Sequence, residues 1–464
     1  MVPGVAGGGS KTSPICDALV AEDTVIGAAP AIRLDGGTIL DADQTAACAG
    51  RTGCAPIDRP KVDPPKVASP LTRVQRLARP VAAVILGAFL GLSALAGAPL
   101  ETKAASAGRN EPIAVGALET AKTHKTQATP RIVAREDPSL GARVLARSPL
   151  AYADGADALL DRPAHVRAGS GIAWFGARLA IVQDDTHFVV LHDPQSGRTE
   201  SIALPRGQDG RRVFDDQIGN KKLKLDLEAI VALESARAPM AVAFGSGSAE
   251  KRETIVLLTT GEQNAPVANA IPAKRFYAAL RELRAFSGSE LNIEAAVDLG
   301  NGNLRLFQRG NGKAKDGLEP VNATVDVSTR ELLAYLQDPD RAPLPELTNP
   351  VQYDLGAVGG VRLTFGDAVR VKGGILFLAA AEDSPDAVQD GAVSATVLGF
   401  IDANGVARWT HITGENGRPL LAKPEGITFD KAHPGRVYLV TDTDDVSVPA
   451  ELLTVRVRGI DLSE

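Results

Sequence analysis

From about residue 141 onward the chain is built of short apolar runs. Each opens on a polar residue, turns on Gly, Asp, Asn or Pro, and returns as a second apolar run. Alternation punctuated by such turns predicts β-strands. Five segments share this grammar: "SGIAWFGARLAIVQDD" (170–185), "LEAIVALESARAPMAVAFGSGS" (227–248), "IEAAVDLGNGNLRLFQRGN" (293–311), "GDAVRVKGGILFLAAAEDS" (366–384) and "PEGITFDKAHPGRVYLVTDTDD" (424–445). Further strands are predicted after most of them, in "HFVVLHD", "TESIAL", "ETIVLLT", "ATVDVSTRELLAYL", "TVLGFID", "ARWTHIT" and "AELLTVRVR". The period is roughly 60 to 70 residues, the scale of a four-stranded unit with loop insertions. The exception is "AKRFYAALRELRAF" (273–286), read as an inserted helix or a long outer strand. Repetition at this period predicts an all-β chain folded as a β-propeller of five blades, or six if 130–167 holds more than a closing strand. "ARVLARSPLAY" (142–152) is expected to supply the outer strand that closes the last blade.

Aligned on their opening positions, the five segments begin with Ser170, Glu228, Glu294, Asp367 and Glu425, four of them acidic. In a propeller the first strand of each blade lines the central channel and the second returns antiparallel, so strand starts and second-strand ends share one mouth. Those second ends are Asp184-Asp185, "GSGS" (245–248), "QRGN" (308–311), Glu382-Asp383 and "DTDD" (442–445). Carboxylates gathered this way repel, raise one another's pKa and call for a cation. Oxygen ligands without His or Cys favour a hard ion, Ca²⁺ first and Mg²⁺ second. Glu228, Glu294, Asp367 and Glu425 are the candidate metal ligands, and Asp184, Asp185 and Asp444 the candidate catalytic bases. A single strand-end acid is more often a solvated turn former; four at one repeat position argue for a site. "DTDDVSVPAE" lacks the Gly and the spacing of an EF-hand loop.

Cations accompany the acids. In "KLKLDLE" (222–228), Lys224, Asp226 and Glu228 fall on one face of an extended chain. Lys251 and Arg252 follow the second run of that unit, and Arg309 ends the second run of the next. The turn holding Ser246 and Ser248 is rich in Gly, and backbone amides in such turns can hold an anion. Lys224, Asp226, Ser246, Ser248, Arg252 and Arg309 therefore form a candidate ligand-binding set for a phosphate or carboxylate. The competing reading is that the cations only balance the acids. "GSGS" is neither a P-loop nor a Rossmann fingerprint, nor the nucleophile elbow of a hydrolase.

Composition narrows the field. The formal net charge of -6 argues against a nucleic-acid partner. All three cysteines, Cys16, Cys48 and Cys54, precede the repeats, so the body has no disulfide framework and no thiol nucleophile. The six histidines, at 124, 165, 187, 192, 411 and 433, show no HxH or HxxxH spacing and read as packing or surface residues. Residues 71–107 have the layout of a secretory signal: Arg73, Arg76 and Arg79, an apolar run from Val81 to Ala98, then small residues, with cleavage favoured after Ala107. Residues 1–70 are either a wrongly extended start or a disordered cytoplasmic tail ahead of a signal anchor. Both readings export the body to the periplasm or medium. Residues 108–140 read as a linker and 141–464 as the propeller, expected as a monomer touching a membrane only through an uncleaved anchor.

"KKLKLDLEAIVAL…GSGS…KRE", together with "PEGITFD…VYLVTDTDD…AELLTVRV", resembles the DUF6929 group of uncharacterised bacterial proteins, over roughly 140–460. The chain is similar, more loosely, to esterase-like phytase and SdiA-regulated propellers, in which an "LEG" or "PEG" strand start and a following "DD" recur. By that resemblance Glu228 and Glu425 match the family acids, and Asp184, Asp185, Asp444 and Asp445 the acidic strand ends. The phytase-like name implies phosphoester hydrolysis, although this chain lacks a clear metal-cluster motif. Two functions follow as expectations: binding of a small anionic ligand or a cell-envelope partner at a Ca²⁺-holding mouth, or metal-dependent hydrolysis of a phosphoester, ester or lactone. The absence of a visible nucleophile–base pair inclines the reading to binding.

Overall fold

The structure, a computed structural model, describes residues 128–233, 238–383, 393–420 and 422–462. The upstream extension 1–70, the signal-like segment 71–107, the three cysteines and most of the linker lie outside the described residues.

Within them the chain forms four-stranded antiparallel groups, one after another. The first is Gly169–Phe175, Arg178–Gln183, Phe188–His192 and Thr199–Ala203. The second is Leu227–Leu233, Met240–Gly245, Thr254–Thr260 and Pro266–Pro272. The third is Ile293–Asp298, Asn303–Gln308, Asn322–Ser328 and Leu347–Asp354. The fourth is Val361–Val371, Gly374–Glu382, Val393–Asp402 and Ala407–Thr413. The last is Lys423–Phe429, Arg436–Asp442 and Glu451–Arg458, to which Gly141–Pro149 adds an antiparallel fourth strand. The same N-terminal strand meets Ile412 and Thr413 in parallel, so the last two groups fuse into one ten-stranded sheet.

The first strands of the groups touch in a closed cycle, each against the next and the last against the first. The apolar core is correspondingly divided. Five clusters of buried side chains each sit between two neighbouring groups, such as Ala229, Phe244, Leu304 and Val325 between the second and third. Inner strands are therefore buried on both faces, while outer strands such as Pro266–Pro272 alternate between half-buried and exposed positions. The result is a propeller-like, mostly β architecture around a central channel. No described helix is long and apolar enough to cross a membrane.

Two stretches depart from the pattern-based reading, and a third takes the first of the two alternatives left open for it. Arg131–Val133 and Arg135–Glu136, inside the stretch read as linker, are short strands added in parallel to Leu347–Asp354 and Ala407–Thr413. "ATVDVSTRELLAYL" is not one strand: Asn322–Ser328 ends at Ser328, whose hydroxyl accepts from Glu331 N (3.4 Å) and starts the helix Thr329–Tyr335. The segment at 273–286 is helical, Lys274–Glu282 followed by Arg284–Ser287, and it buries Phe276, Tyr277 and Leu280.

Candidate functional site

Each first strand slips register at the same place. The irregularities lie between Gly169 and Ile172, Leu227 and Ala229, Ile293 and Ala295, Phe365 and Ala368, and Pro424 and Gly426. Ser170, Glu228, Glu294, Asp367 and Glu425 all fall inside these bulges. A bulge re-aims a side chain and turns the strand, so the aligned acids occupy one structural position. Where glycine follows, neighbouring strands come close: a Cβ on Gly171 would lie 2.8 Å from Glu228 O, and one on Gly426 2.7 Å from Ser170 O. The "EG" of the last unit is thus a packing requirement of the channel.

The second unit builds the densest cluster. Carboxylate oxygens of Asp184, Asp226 and Glu228 lie within 4.8 Å of one another, the acidic triad of the site. Asp226 adopts φ 55°, a left-handed conformation that Asp tolerates better than most residues. Its carboxylate is gripped from several sides. Lys224 Nζ is 2.7 Å from Oδ1 and also pairs with Asp184; Arg252 Nη1 is 2.7 Å from Oδ2; and the Ser246 hydroxyl donates to Oδ2. Ser248 Oγ accepts from Arg252 Nη1 (2.8 Å). Burial alone would raise the Asp226 carboxyl, but Lys224 and Arg252 outweigh it and hold it below the usual carboxylate range. Burial likewise pulls Lys224 down, and Asp184, Asp226 and Glu228 reverse that and keep it charged.

The other aligned acids have their own partners. Glu294 Oε1 accepts from Asn292 Nδ2 (2.7 Å) and pairs with Arg309 Nη1 (3.3 Å), while Arg309 Nη2 reaches Glu382 at 2.5 Å. Glu425 pairs with Lys423 at 3.0 Å, and the same Nζ lies 3.5 Å from Asp444. Asp367 Oδ2 accepts from the amide of Ile427 (2.8 Å), on the neighbouring first strand. Glu228 differs: among the described residues its carboxylate makes no hydrogen bond and no ion pair. It stands well above the ordinary Glu range, first through burial, then through repulsion from Asp226, Glu294, Asp184 and Glu425. Burial also lifts Asp367 and Glu425 well up and Glu294 to about 7.

Beside this layer opens a cleft of about 730 Å³, lined by Asp184, Asp185, Asp215, Asp442 and Asp444 among others, with Arg167 in its wall. Arg167 holds Asp185 at 2.7 Å and Asp215 at 3.2 Å. Burial, then Asp184, raises Asp185 to about 7 against the pull of Arg167 and Lys224. Burial raises Asp442 to about 8, Lys423 opposing and Asp184 and Asp444 reinforcing.

The contacts divide the candidate residues into separate groups. Of Glu228, Glu294, Asp367 and Glu425, only Glu228 belongs to a three-carboxylate group among the described residues. Lys224, Arg252 and Arg309 are buried and matched to carboxylates. The glycine-rich turn is not an open anion cradle. Its amides are spent internally: Ser246 N on Asp226 O, Gly247 N on Arg252 O and Ser248 N on Ser246 Oγ. A Cβ at Gly247 would lie 2.5 Å from the Tyr277 ring, so glycine there makes room for the helix. Arg167, Asp215 and Lys423 are additions that the sequence reading lacks; Glu382 and Asp442 stand in it only as acidic second-strand ends. The alternation that joins Asp226 to Glu228 finds Asn292 and Lys423, each two residues before its acid. No sequence signal marks Arg167 or Asp215, which meet across 48 residues.

The chain is similar to several solved structures. A glutaminyl cyclase from Myxococcus xanthus is 12% identical, with TM-score 0.37, over 72% of this chain and 100% of that one. The PQQ domain of pyranose dehydrogenase from Coprinopsis cinerea is 10% identical, with TM-score 0.33, over 70% and 100%. The Malassezia sympodialis allergen Mala s 1 is 9% identical, with TM-score 0.34, over 62% and 92%. No curated protein matches the chain. Residues 165–457, which carry the aligned acids, the bulges and the cleft, match the family of unknown function DUF6929, and the chain belongs to that family.

Proposed function

We propose that the protein is an exported five-bladed β-propeller that binds a small anionic molecule through a hard divalent cation at its acidic mouth, Ca²⁺ in first place and Mg²⁺ second. One observation carries the reading. Glu228 is the aligned acid with neither ion pair nor hydrogen bond among the described residues, and it lies within 4.8 Å of Asp184 and Asp226. With one ligand oxygen from each, the three carboxylates fall short of the six to eight oxygens Ca²⁺ takes. Oxygens of a phosphate or carboxylate ligand, with water, would complete the shell. The cleft beside the triad is large enough for such a molecule. A cell-envelope protein presenting an acidic side chain would satisfy the same chemistry.

One observation favours a second reading, metal-dependent hydrolysis of a phosphoester, ester or lactone. Burial pushes Asp185 up to about 7 and Asp442 up to about 8 in the cleft wall, which suits them to general acid–base work near neutrality.

Thermal melts of the chelator-treated chain, with Ca²⁺ or Mg²⁺ returned, test the proposal. A cation that binds the folded state at a hundredfold excess over Kd adds about 2.7 kcal/mol. We expect a Ca²⁺-dependent rise that is lost in Glu228→Gln. A folded protein indifferent to both cations overturns the metal reading. Ca²⁺-dependent turnover of generic esters or phosphoesters, weakened by Asp185→Asn, would favour hydrolysis over binding.

A further inference from the structure

The far end of the same channel has the opposite character. A cavity of about 500 Å³ opens there, and every first strand contributes to its wall, through Ile172, Ile230, Ala296, Ala368 and Ile427. These residues follow the bulged position of each strand, so the acid layer lies at the inner end of the cavity. Toward the outside the wall carries Trp174 and Phe429, and the charged side chains Asp298, Arg370 and Lys431. Asp298 and Arg370 each have a partner. Lys431 is exposed and has no carboxylate partner among the described residues; its ammonium lies over the Trp174 ring, 4.8 Å from the centroid. The ring itself is fixed, because Trp174 Nε1 donates to Phe429 O (2.9 Å).

We propose that this end of the channel is a second binding site, for a small amphipathic carboxylate that enters tail first and leaves its anionic head at Lys431 beside Trp174. The apolar wall takes an alkyl or aryl body. The two ends of the cavity set the orientation. Beyond the inner end lie buried acids and cations already matched to carboxylates, which give an anionic head no favourable seat, whereas among the described residues two of the three charged lining side chains are cations. An amine of the same shape would meet those cations on entry. The inference does not rest on the metal reading, since none of its residues belongs to the triad or the cleft.

The test is a calorimetric titration of the full chain, with chelator present, using octanoate, octan-1-ol and octylamine as probes. Octanoate should bind at one saturable site. Octan-1-ol should bind at least about fivefold more weakly, having lost the charge-assisted contact, and octylamine more weakly still. Lys431→Ala, an exposed change that leaves the core untouched, should bring octanoate down to the level of octan-1-ol without altering octan-1-ol itself. Ala296→Phe, which fills the channel, should abolish binding of both. Trp174 gives a second readout as a change in intrinsic fluorescence on adding octanoate, absent in Trp174→Phe. Octylamine binding as tightly as octanoate, no saturable octanoate binding, or octanoate affinity unchanged in Lys431→Ala would each overturn the proposal.

Discussion

The two ends of the channel are lined by the same first strands, yet they differ in nearly every physical respect. The acidic mouth crowds carboxylates against buried cations: Lys224, Arg252, Arg309 and Lys423 are all buried and all ion-paired. The far end is walled by Ile, Ala and aromatic side chains, with one lysine resting on an indole. The bulge is the boundary. It interrupts the ladder, turns its own residue toward the mouth, and leaves the rest of the strand to the apolar cavity. A buried ion network adds little net stability, because desolvation opposes its attraction. Apolar burial between the groups holds the fold, and on the proposed reading the acid layer serves binding.

If so, upsetting the balance at the acidic end should be the most damaging single change. Asp226→Asn keeps a residue that tolerates the left-handed backbone at this position but removes the charge shared by Lys224 and Arg252. We expect a loss of about 3 kcal/mol in chemical denaturation, the scale for stranding a buried charge. A loss below about 1 kcal/mol, the scale of an exposed pair, would mean that Asp184 alone neutralises both cations.

Proton balance separates the ends next. Folding raises Glu294 and Asp185 to about 7 and Asp442 to about 8, above the ordinary carboxylate range near 4. Between those limits the folded chain binds more protons than the unfolded one, so stability falls as pH rises from about 4 to about 8, and Glu228, Asp367 and Glu425, lifted in the same direction, add to the fall. We expect a total loss of about 2 kcal/mol, since these carboxyls share cations and neighbours and do not act independently. Ca²⁺ should restore stability at pH 8 more than at pH 5, because at pH 5 it must displace protons. A flat profile from pH 5 to 8 would show that the layer is already ionised and internally neutralised.

The waist between the ends depends on glycine. A Cβ at Gly171 would sit 2.8 Å from Glu228 O and 3.0 Å from Ile230 N, backbone atoms that cannot swing aside. Gly171→Ala should therefore cost about 1–3 kcal/mol by overpacking. Because it pushes on the strand that holds Glu228, it should also weaken the Ca²⁺-dependent rise in melting temperature. A substitution that leaves both unchanged would mean the two strands separate freely.

Much of this is legible in the sequence, for definite reasons. Period-two alternation reports which residues share a face; it sets Asp226 beside Glu228, and the two do meet, but through a left-handed Asp226 and a bulge at Glu228 after the turn Lys221–Leu223, not through a continuous strand over 222–228. The recurrence of an acid at one repeat position reveals the layer. The register slip is marked only by a small residue after each bulged position, Gly171, Ala229, Ala295, Ala368 and Gly426, because a bulge adds a residue without changing the apolar count. Pairings cannot be read at all where they cross between groups: Arg309 meets Glu382 from 73 residues away, and Lys224 meets Asp184 from 40. The helix Thr329–Tyr335 does carry a signal that strand alternation masks, since "STRE" places Glu three residues after Ser328 in the manner of a capping box. The strands at 131–136 carry none. Two- and three-residue strands take their structure from the sheet edge they join.

Two lysines give the comparison its finest test. Lys224 and Lys431 are the same residue type at opposite ends of one channel. Lys224 is buried at 3% exposure between Asp184 and Asp226, and its removal strands two carboxylates. Lys431 is exposed, and its ammonium rests on the Trp174 ring. An exposed cation–π contact is worth about 0.5–1 kcal/mol, and solvent recovers the charge when the fold opens. Lys431→Ala should therefore shift the unfolding midpoint by no more than this small amount, and equally at pH 5 and pH 8, since no described carboxylate pairs with it. A larger or pH-dependent effect would place Lys431 within the field of the acid layer and make the channel one electrostatic unit. A small, pH-independent effect leaves its charge available to an anion at the rim.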